Sequence, residues 1–318
     1  MERWEFVSII LSRKIGNKEY CHFAETLLDE IFIFINTHTP INFDNGLAGI
    51  AWGIDYLIKN RYVNGNINSI LKDIDNKVYR TVQFEWMGKE EKKQLPFSFI
   101  KILFYLKERL KVQKKGSFNE FFFKNQIIQI INKIENMEEF ENWHSSFNFR
   151  IGYPLFAYLY VLAELLPMQF YNYKIHKIFD EKSSDVLSLY PQMNVLRLYL
   201  LLIMKKILRL VSIPYWEEHC HLLETNINYE IILKEEFKNK QIFLNTGIAG
   251  YVFLLSELDN LTGSRELAKQ KKDIVEKIAC SECWNIWNVY LSDLFIPELD
   301  LLDGFPGVGL AYYLFLSD

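Results

Sequence analysis

A recurring glycine motif constrains the fold of this chain most strongly. Two glycines three residues apart follow polar residues and open an almost wholly apolar segment. The copies are Asp44-Asn45-Gly46-Leu-Ala-Gly49, Asn245-Thr246-Gly247-Ile-Ala-Gly250 and Asp303-Gly304-Phe-Pro-Gly307. Because such self-similarity at a wide spacing is typical of chains that repeat one supersecondary unit, we predict a repeat architecture.

Two kinds of helical pattern alternate along the chain. Apolar segments, which a fold must bury on all sides, alternate with amphipathic segments that expose one face. The apolar segments are 47–58, 97–106, 155–166, 195–204, 248–258 and 308–316, and the amphipathic ones are 20–36, 67–82, 118–137, 170–181, 222–237 and 265–280. The apolar segments start 42 to 57 residues apart, at Gly46, Pro96, Gly152, Asn194, Gly247 and Gly304.

This alternation predicts an all-α fold of helical hairpins. The arrangement that buries the apolar helices best is an α/α toroid, a double-layered ring with the apolar helices inside, formed by residues 1–318 as one domain. An open superhelix of the same hairpins is the alternative. The toroid is favoured because the end repeats are as apolar as the middle ones, whereas a solenoid requires polar end caps.

Charge and hydropathy exclude several classes of partner. The formal net charge of −4 gives no electrostatic basis for nucleic-acid binding. Charged residues such as Glu164 and Arg197 interrupt the longest apolar runs, so no membrane span is predicted. The charged N-terminus predicts no signal peptide, and the four cysteines are then expected to be reduced thiols in a cytoplasm.

The ring also predicts where a ligand would bind. All inner helices point the same way, so their N-termini share one face, where unpaired N–H groups favour anions. Capping and close packing alone explain the glycines and the polar residues before them, and this is the favoured interpretation. The candidate binding residues at this face are Asp44, Asn45, Arg150, Tyr153, Tyr190, Asn245, Thr246 and Asp303.

Four motifs in register resemble those of the lanthionine synthetase C-like (LanC-like) family. They are Gly46-Leu-Ala-Gly-Ile-Ala-Trp-Gly53, Gly152-Tyr-Pro-Leu155, Asn245-Thr-Gly-Ile-Ala-Gly250 and Asp303-Gly-Phe-Pro-Gly-Val-Gly309. With their order and spacing, the resemblance extends from about residue 20 to the end. The resemblance implies an α/α toroid with a zinc ion at the mouth of the inner barrel. In the family, zinc activates a peptide cysteine that adds to a dehydrated Ser or Thr.

The chain departs from this family at the zinc site. Leu189 stands where the family has one cysteine ligand, and Asn245-Thr246 stand where it has an adjacent Cys-His pair. The family also has a catalytic histidine before the motif that corresponds to Gly152-Tyr-Pro. Residues 149–151 of this chain contain no histidine at that position. The first family hairpin is also missing, unless the N-terminal helix predicted within residues 1–15 is its remnant. A ring that lacks one hairpin is expected either to be tightened or to have its gap covered by a partner or by a second copy of the chain.

Two other groups offer weaker alternatives. Cys280 and Cys283 have metal-ligand spacing, and with Cys220 and His221 could bind zinc, but consecutive helical residues diverge by about 100°. Buried or incidental thiols are the simpler interpretation. The carboxylates Asp44, Glu298, Asp300 and Asp303 allow a toroid carbohydrate-active enzyme, although Asp44 and Asp303 are more simply helix caps.

The sequence therefore predicts a LanC-like protein of lanthipeptide-type maturation with a degenerate zinc site and no required cofactor. It would bind a precursor peptide or a peptide-modifying enzyme, as a pseudoenzyme. The alternatives are an active thioether cyclase and the carbohydrate-active enzyme.

Overall fold

The computed structural model confirms an all-helical chain. It describes residues 26, 39–43, 46–61, 63–86, 95–137, 147–237, 241–284 and 301–316, and these residues contain helices and loops without a β-strand. The predicted helices within residues 1–15 and at 20–36 lie outside this part of the chain, apart from helical Thr26. None of the described helices is long and apolar enough to cross a membrane.

The chain forms two compact units, which divide near residue 143. In the first, the helices are α1 (Leu47–Lys59), α2 (Ile67–Ile70), α3 (Lys72–Arg80, continued by a π-helical turn Thr81–Trp86), α4 (Leu95–Lys111) and α5 (Phe118–Glu135). The apolar helices α1 and α4 pack on each other, while α3 packs on α1 and α5 on α4. This unit therefore consists of successive hairpins with apolar helices side by side.

The second unit repeats the same packing. Its helices are α6 (Pro154–Leu165), α7 (Asn172–Leu187), α8 (Asn194–Leu208), α9 (Trp216–Thr225), α10 (Tyr229–Ile231, continued by Ile232–Glu236), α11 (Ile248–Thr262), α12 (Glu266–Ala279) and α13 (Phe305–Ala311, continued by Tyr312–Leu316). The apolar helices α6, α8, α11 and α13 pack in series, and α7, α9 and α12 each pack on the preceding apolar helix. The toroid and the single domain stay predictions.

A buried ion pair joins two helices of the first unit. Arg109 on α4 donates from Nε and Nη2 to the Asp75 carboxylate on α3, at 2.7 to 3.2 Å, and the Tyr105 hydroxyl donates to the same carboxylate at 2.6 Å. Arg109 and Asp75 are both buried. Removing one partner would leave a buried charge unpaired, so the pair fixes how α3 lies on α4.

The structure splits two predicted amphipathic helices. The segment predicted as a single helix at 222–237 belongs instead to α9 and to α10 with its continuation. The Asn228 side chain accepts hydrogen bonds from the N–H groups of Glu230 and Ile231 and so caps a new helix start. The predicted helix at 67–82 is likewise interrupted at Leu71.

The second glycine of each motif allows a close backbone approach. A Cβ atom on Gly49, Gly250 or Gly307 would lie closer than 3.0 Å to the carbonyl oxygen of the residue six positions earlier. Those residues are Phe43, Leu244 and Leu301. The same loop-to-helix geometry therefore occurs three times, and it requires a residue without a side chain.

Replacing Gly250 by Ala tests this requirement. We expect Gly250→Ala to lower the free energy of unfolding by about 2 kcal/mol or more, because the backbone of Leu244 cannot yield as a side-chain end could. Gly309→Ala is the matched control, since a Cβ there meets no atom within 4 Å and Ala is the better helix former. Urea midpoints followed by circular dichroism measure both; equal midpoints for the two variants would contradict the close approach.

Candidate functional site

Three loops meet at the starts of the apolar helices in the second unit. The Ile151 N–H donates to the Asn245 carbonyl at 3.0 Å, and the Asn245 N–H donates to the Leu302 carbonyl at 2.7 Å. Asn245 thus bridges the loop before α6 and the loop before α13 through its own backbone. Three of the loops in which the sequence predicted binding residues are therefore joined by hydrogen bonds.

The Asn245 side chain strengthens this junction. Its Nδ2 donates to both oxygens of Asp303, at 2.9 and 3.1 Å, and the residue is only 3% exposed. A carboxylate only accepts, so the amide nitrogen must face Asp303 and the amide oxygen must point away. That oxygen, Oδ1, is buried and has no partner among the described residues. The structure thus brings the predicted site residues Asn245 and Asp303 together, and they are hydrogen-bonded to each other.

The polar residues before the glycines do not cap the helices as predicted. Gly247 and Gly304 are themselves the N-cap residues, and neither helix start has a side-chain cap. Thr246 lies with its hydroxyl 3.4 Å from the Gln241 side-chain oxygen, and Asp303 binds Asn245. The capping role predicted for Thr246 and Asp303 is therefore wrong. Asp44 and Asn45 lie outside the described residues.

Backbone carbonyls satisfy the first N–H groups of two helices. In α11 the N–H groups of Ile248 and Ala249 donate to the carbonyls of Gln241 and Ile242, at 3.0 and 3.1 Å. In the first unit Leu47 and Ala48 donate in the same way to Pro40 and Ile41, at 2.9 and 3.3 Å. These groups were expected to be unpaired and to attract an anion. They are instead satisfied within the chain.

A carboxylate of the chain occupies the start of α8. Glu236 accepts from the Asn194 N–H at 2.6 Å, from the Val195 N–H at 2.9 Å and from the Asn194 side chain at 3.0 Å. A negative charge is favoured at a helix N-terminus. Sequence reasoning missed Glu236, because it lies about 40 residues along the chain and no local pattern indicates the contact.

A buried hydroxyl holds the start of α6. Tyr199 accepts from the N–H groups of Gly152 and Tyr153, at 3.1 and 3.2 Å, and burial raises its pKa to about 12. Tyr153 is buried, whereas Arg150 is exposed at the surface of the same loop. Of these two predicted binding residues, the structure leaves Arg150 accessible and makes Tyr153 part of the core.

Aromatic rings pack behind these loops. Phe149 contacts Tyr199 and Phe237, with ring centroids 6.4 and 5.8 Å apart, and Phe147 contacts Tyr153 and Phe156 at 5.1 and 5.0 Å. Edge-to-face packing of this kind stabilises a core. The loop before α6 thus places its phenylalanines against α6, α8 and the segment that ends at Phe237.

Tyr190 is the other accessible candidate. It is 46% exposed, and the Arg197 guanidinium lies 5.2 Å from the centre of its ring. Arg197 also donates from Nε to the Pro191 carbonyl at 2.7 Å, which holds the loop before α8. Tyr190 is therefore a positioned aromatic surface, suited to stacking against a ligand.

The residues at the expected zinc positions do not suit zinc. Leu189 has no donor atom in its side chain, and its carbonyl lies 3.2 Å from Nε2 of His219, whose pKa is lowered by burial. Asn245 and Thr246 offer an amide and a hydroxyl, where zinc prefers thiolate and imidazole. Within the described ranges no group of three or more His, Cys, Asp or Glu residues is arranged to hold a metal ion.

The cysteine and histidine group lies elsewhere in the second unit. Cys220 is buried on α9, and burial raises its pKa to about 11, so its thiol is protonated at neutral pH. His221 follows it on the same helix, whereas Cys280 is exposed at the end of α12. Residues 219–221 are helical, which confirms that their consecutive side chains point in different directions, as expected.

Comparison with known proteins adds no assignment. No protein-family model matches the sequence, and a search of curated proteins finds no significant match. The LanC-like resemblance therefore stays a prediction.

Exchanging the two groups of the Asn245–Asp303 pair tests its role. At pH 7 we expect Asn245→Asp to lower the free energy of unfolding by about 3 kcal/mol, since two carboxylates would face each other at a buried site. Each carboxylate then raises the folded-state pKa of the other above its usual value near 4, so the loss should shrink as the pH falls from 7 through that raised pKa toward about 4. The double variant Asn245→Asp/Asp303→Asn restores an amide–carboxylate pair and should recover most of the stability.

Urea unfolding at pH 7 and pH 4 measures these differences. A deficit of equal size at both pH values, or a double variant no more stable than Asn245→Asp, would contradict a direct interaction between the two side chains.

Proposed function

We propose that this chain is a LanC-like protein of ribosomal peptide maturation in which a structural junction replaces the zinc centre. It binds a precursor peptide or a peptide-modifying enzyme and does not close thioether rings itself. The proposal includes assembly of the two units into one α/α toroid.

One observation carries this proposal most directly. Asn245, at the position of a family zinc ligand, is buried, and its side-chain amide nitrogen donates hydrogen bonds to Asp303. Its backbone meanwhile bonds to Ile151 and Leu302. The residue is therefore committed to holding three loops together, a role that leaves it no part in activating a thiol.

The accessible residues at the same helix starts support binding. Arg150 and Tyr190 are exposed, one a guanidinium and the other an aromatic ring backed by Arg197. Arg and Tyr are among the residues that contribute most at protein and peptide interfaces. They suit a peptide that carries carboxylates and apolar side chains.

The proposal expects genes for a precursor peptide and a dehydratase beside the gene for this chain, and the test uses the products of those two genes. We expect fluorescence anisotropy to detect binding of the labelled peptide or the dehydratase with a Kd in the micromolar range, corresponding to about −8 kcal/mol. Arg150→Ala/Tyr190→Ala should weaken that binding about tenfold. Tyr173→Ala is the matched control, because Tyr173 is an exposed tyrosine on α7.

A second readout separates binder from cyclase. Ring closure consumes one cysteine thiol per ring, so mass spectrometry after alkylation counts the rings formed on a dehydrated peptide. The proposal expects the same rate with and without the protein. Faster thiol loss would support the cyclase alternative, and absence of binding to both peptide and dehydratase would refute the binding role.

A further inference from the structure

The first unit presents an aromatic strip on its surface. The strip consists of Tyr79 and Phe84 from α3 and its π-helical turn, and Phe118, Phe121 and Phe122 from α5. Phe84, Phe118 and Phe121 are 75%, 79% and 71% exposed. Single exposed apolar residues are ordinary, but a contiguous group of large rings marks an interaction site.

Ring contacts make the strip continuous. Phe84 lies 6.5 Å from Tyr79, Tyr79 lies 5.0 Å from Phe122, and Phe122 lies 6.3 Å from Phe118, all between ring centroids. Phe121 follows Phe118 by three residues and so shares its helix face. Tyr79 and Phe122 are half-buried where the two helices meet, so they form the floor of a shallow groove between more exposed rings.

Hydrogen bonding holds the two helices of the groove together. The side chains of Gln83 and Gln129 are hydrogen-bonded between them. Phe123, next to Phe122, is buried and packs edge-on against it at 5.4 Å. The strip therefore lies on a fixed framework.

Three exposed basic residues lie at the described part of the strip's border. Arg80 is exposed four residues before Phe84, and Lys114 and Lys115 are exposed just before Phe118. The neighbouring carboxylate, Glu120, pairs with Lys124 at 2.6 Å, and its pKa is lowered mainly by that lysine. Lys115 also lowers the pKa of Glu120, although no ion pair joins the two. Among the described residues Arg80, Lys114 and Lys115 form no ion pair, so the rim favours an acidic partner.

The size of the strip argues against a second copy of the chain as its occupant. Three phenylalanines exposed to this degree present roughly 450 Å² of apolar surface. A stable dimer buries about 800 Å² on each partner. A two-fold contact through the strip would also bring like charges together. A single helix laid along the groove requires less area and suits a row of rings.

We propose that the aromatic strip docks an amphipathic helix of another protein, whose apolar face covers the rings and whose acidic flanks meet Arg80, Lys114 and Lys115. This proposal is independent of the function proposed above, since it rests on contacts of the first unit alone. The helix is recognised by leucine-like residues at helical spacing with glutamate or aspartate on both sides of them.

Two synthetic peptides of about 18 residues serve as probes. Both carry leucines at helical spacing; one has glutamates at the flanking positions and the other has lysines. Binding of each labelled peptide to the full chain is measured by fluorescence anisotropy at low and moderate salt. We expect the acidic peptide to bind at least tenfold more tightly, with an advantage that shrinks as salt rises.

Surface variants locate the binding site. Phe118→Ser/Phe121→Ser should weaken binding of the acidic peptide at least tenfold, and Lys114→Glu/Lys115→Glu should reverse the preference between the peptides. Tyr173→Ser removes an equally exposed ring from α7 and should change nothing. Because all of these side chains are exposed, circular dichroism should show unchanged helix content, which makes the comparison valid.

Three outcomes would overturn the proposal. The first is equal binding of both peptides, or binding unaffected by Phe118→Ser/Phe121→Ser. The second is binding to vesicles that contain phosphatidylserine in preference to the acidic peptide, which would assign the strip to a membrane surface. The third is a dimer in sedimentation that Phe118→Ser/Phe121→Ser dissociates, which would assign it to a second copy.

Discussion

The close approach of a loop carbonyl to a glycine in the first helical turn determines how the apolar helices α1, α11 and α13 begin. The carbonyl oxygens of Phe43, Leu244 and Leu301 occupy space that a Cβ on Gly49, Gly250 or Gly307 would need. In two of these places the same loop also supplies carbonyls to the first N–H groups of the helix. One backbone arrangement therefore positions the starts of α1, α11 and α13, and in α1 and α11 it also satisfies the first N–H groups.

This arrangement changes what the helix starts can do chemically. Loop carbonyls satisfy Ile248 and Ala249, and the Glu236 carboxylate satisfies Asn194 and Val195. The partial positive charge at these ends is therefore used within the chain. What remains accessible is the surface formed by side chains, and Arg150 and Tyr190 are its exposed members among the predicted residues.

Helix positions could be predicted from the sequence because burial imposes a periodic pattern on each segment. The apolar segments predicted at 155–166 and 195–204 lie within one to four residues of α6 and α8. The break between α9 and α10 was missed, because Leu223, Ile227 and Ile231 keep a helical spacing across it while Asn228 caps a new start. The local pattern of residues 222–237 therefore predicted a helix but did not predict its interruption.

The candidate site was less predictable, since its contacts join distant residues. The sequence placed Asn245 and Asp303 at the same face, and the structure brings them into contact. The roles assigned to polar residues before glycine were wrong at Thr246 and Asp303, because glycine itself takes the N-cap position. Contacts such as Glu236 with Asn194, or Arg109 with Asp75, depend on how hairpins pack and have no local signal.

Under the proposed function, the junction around Asn245 takes the place of a metal centre. Zinc in the purified full-length protein, measured by plasma mass spectrometry before and after dialysis against a chelator, tests this claim directly. If the junction replaces the metal, the protein should contain far less than one zinc ion per chain and keep the same melting temperature after chelation. About one zinc ion per chain, whose removal lowers the melting temperature by several degrees, would contradict it.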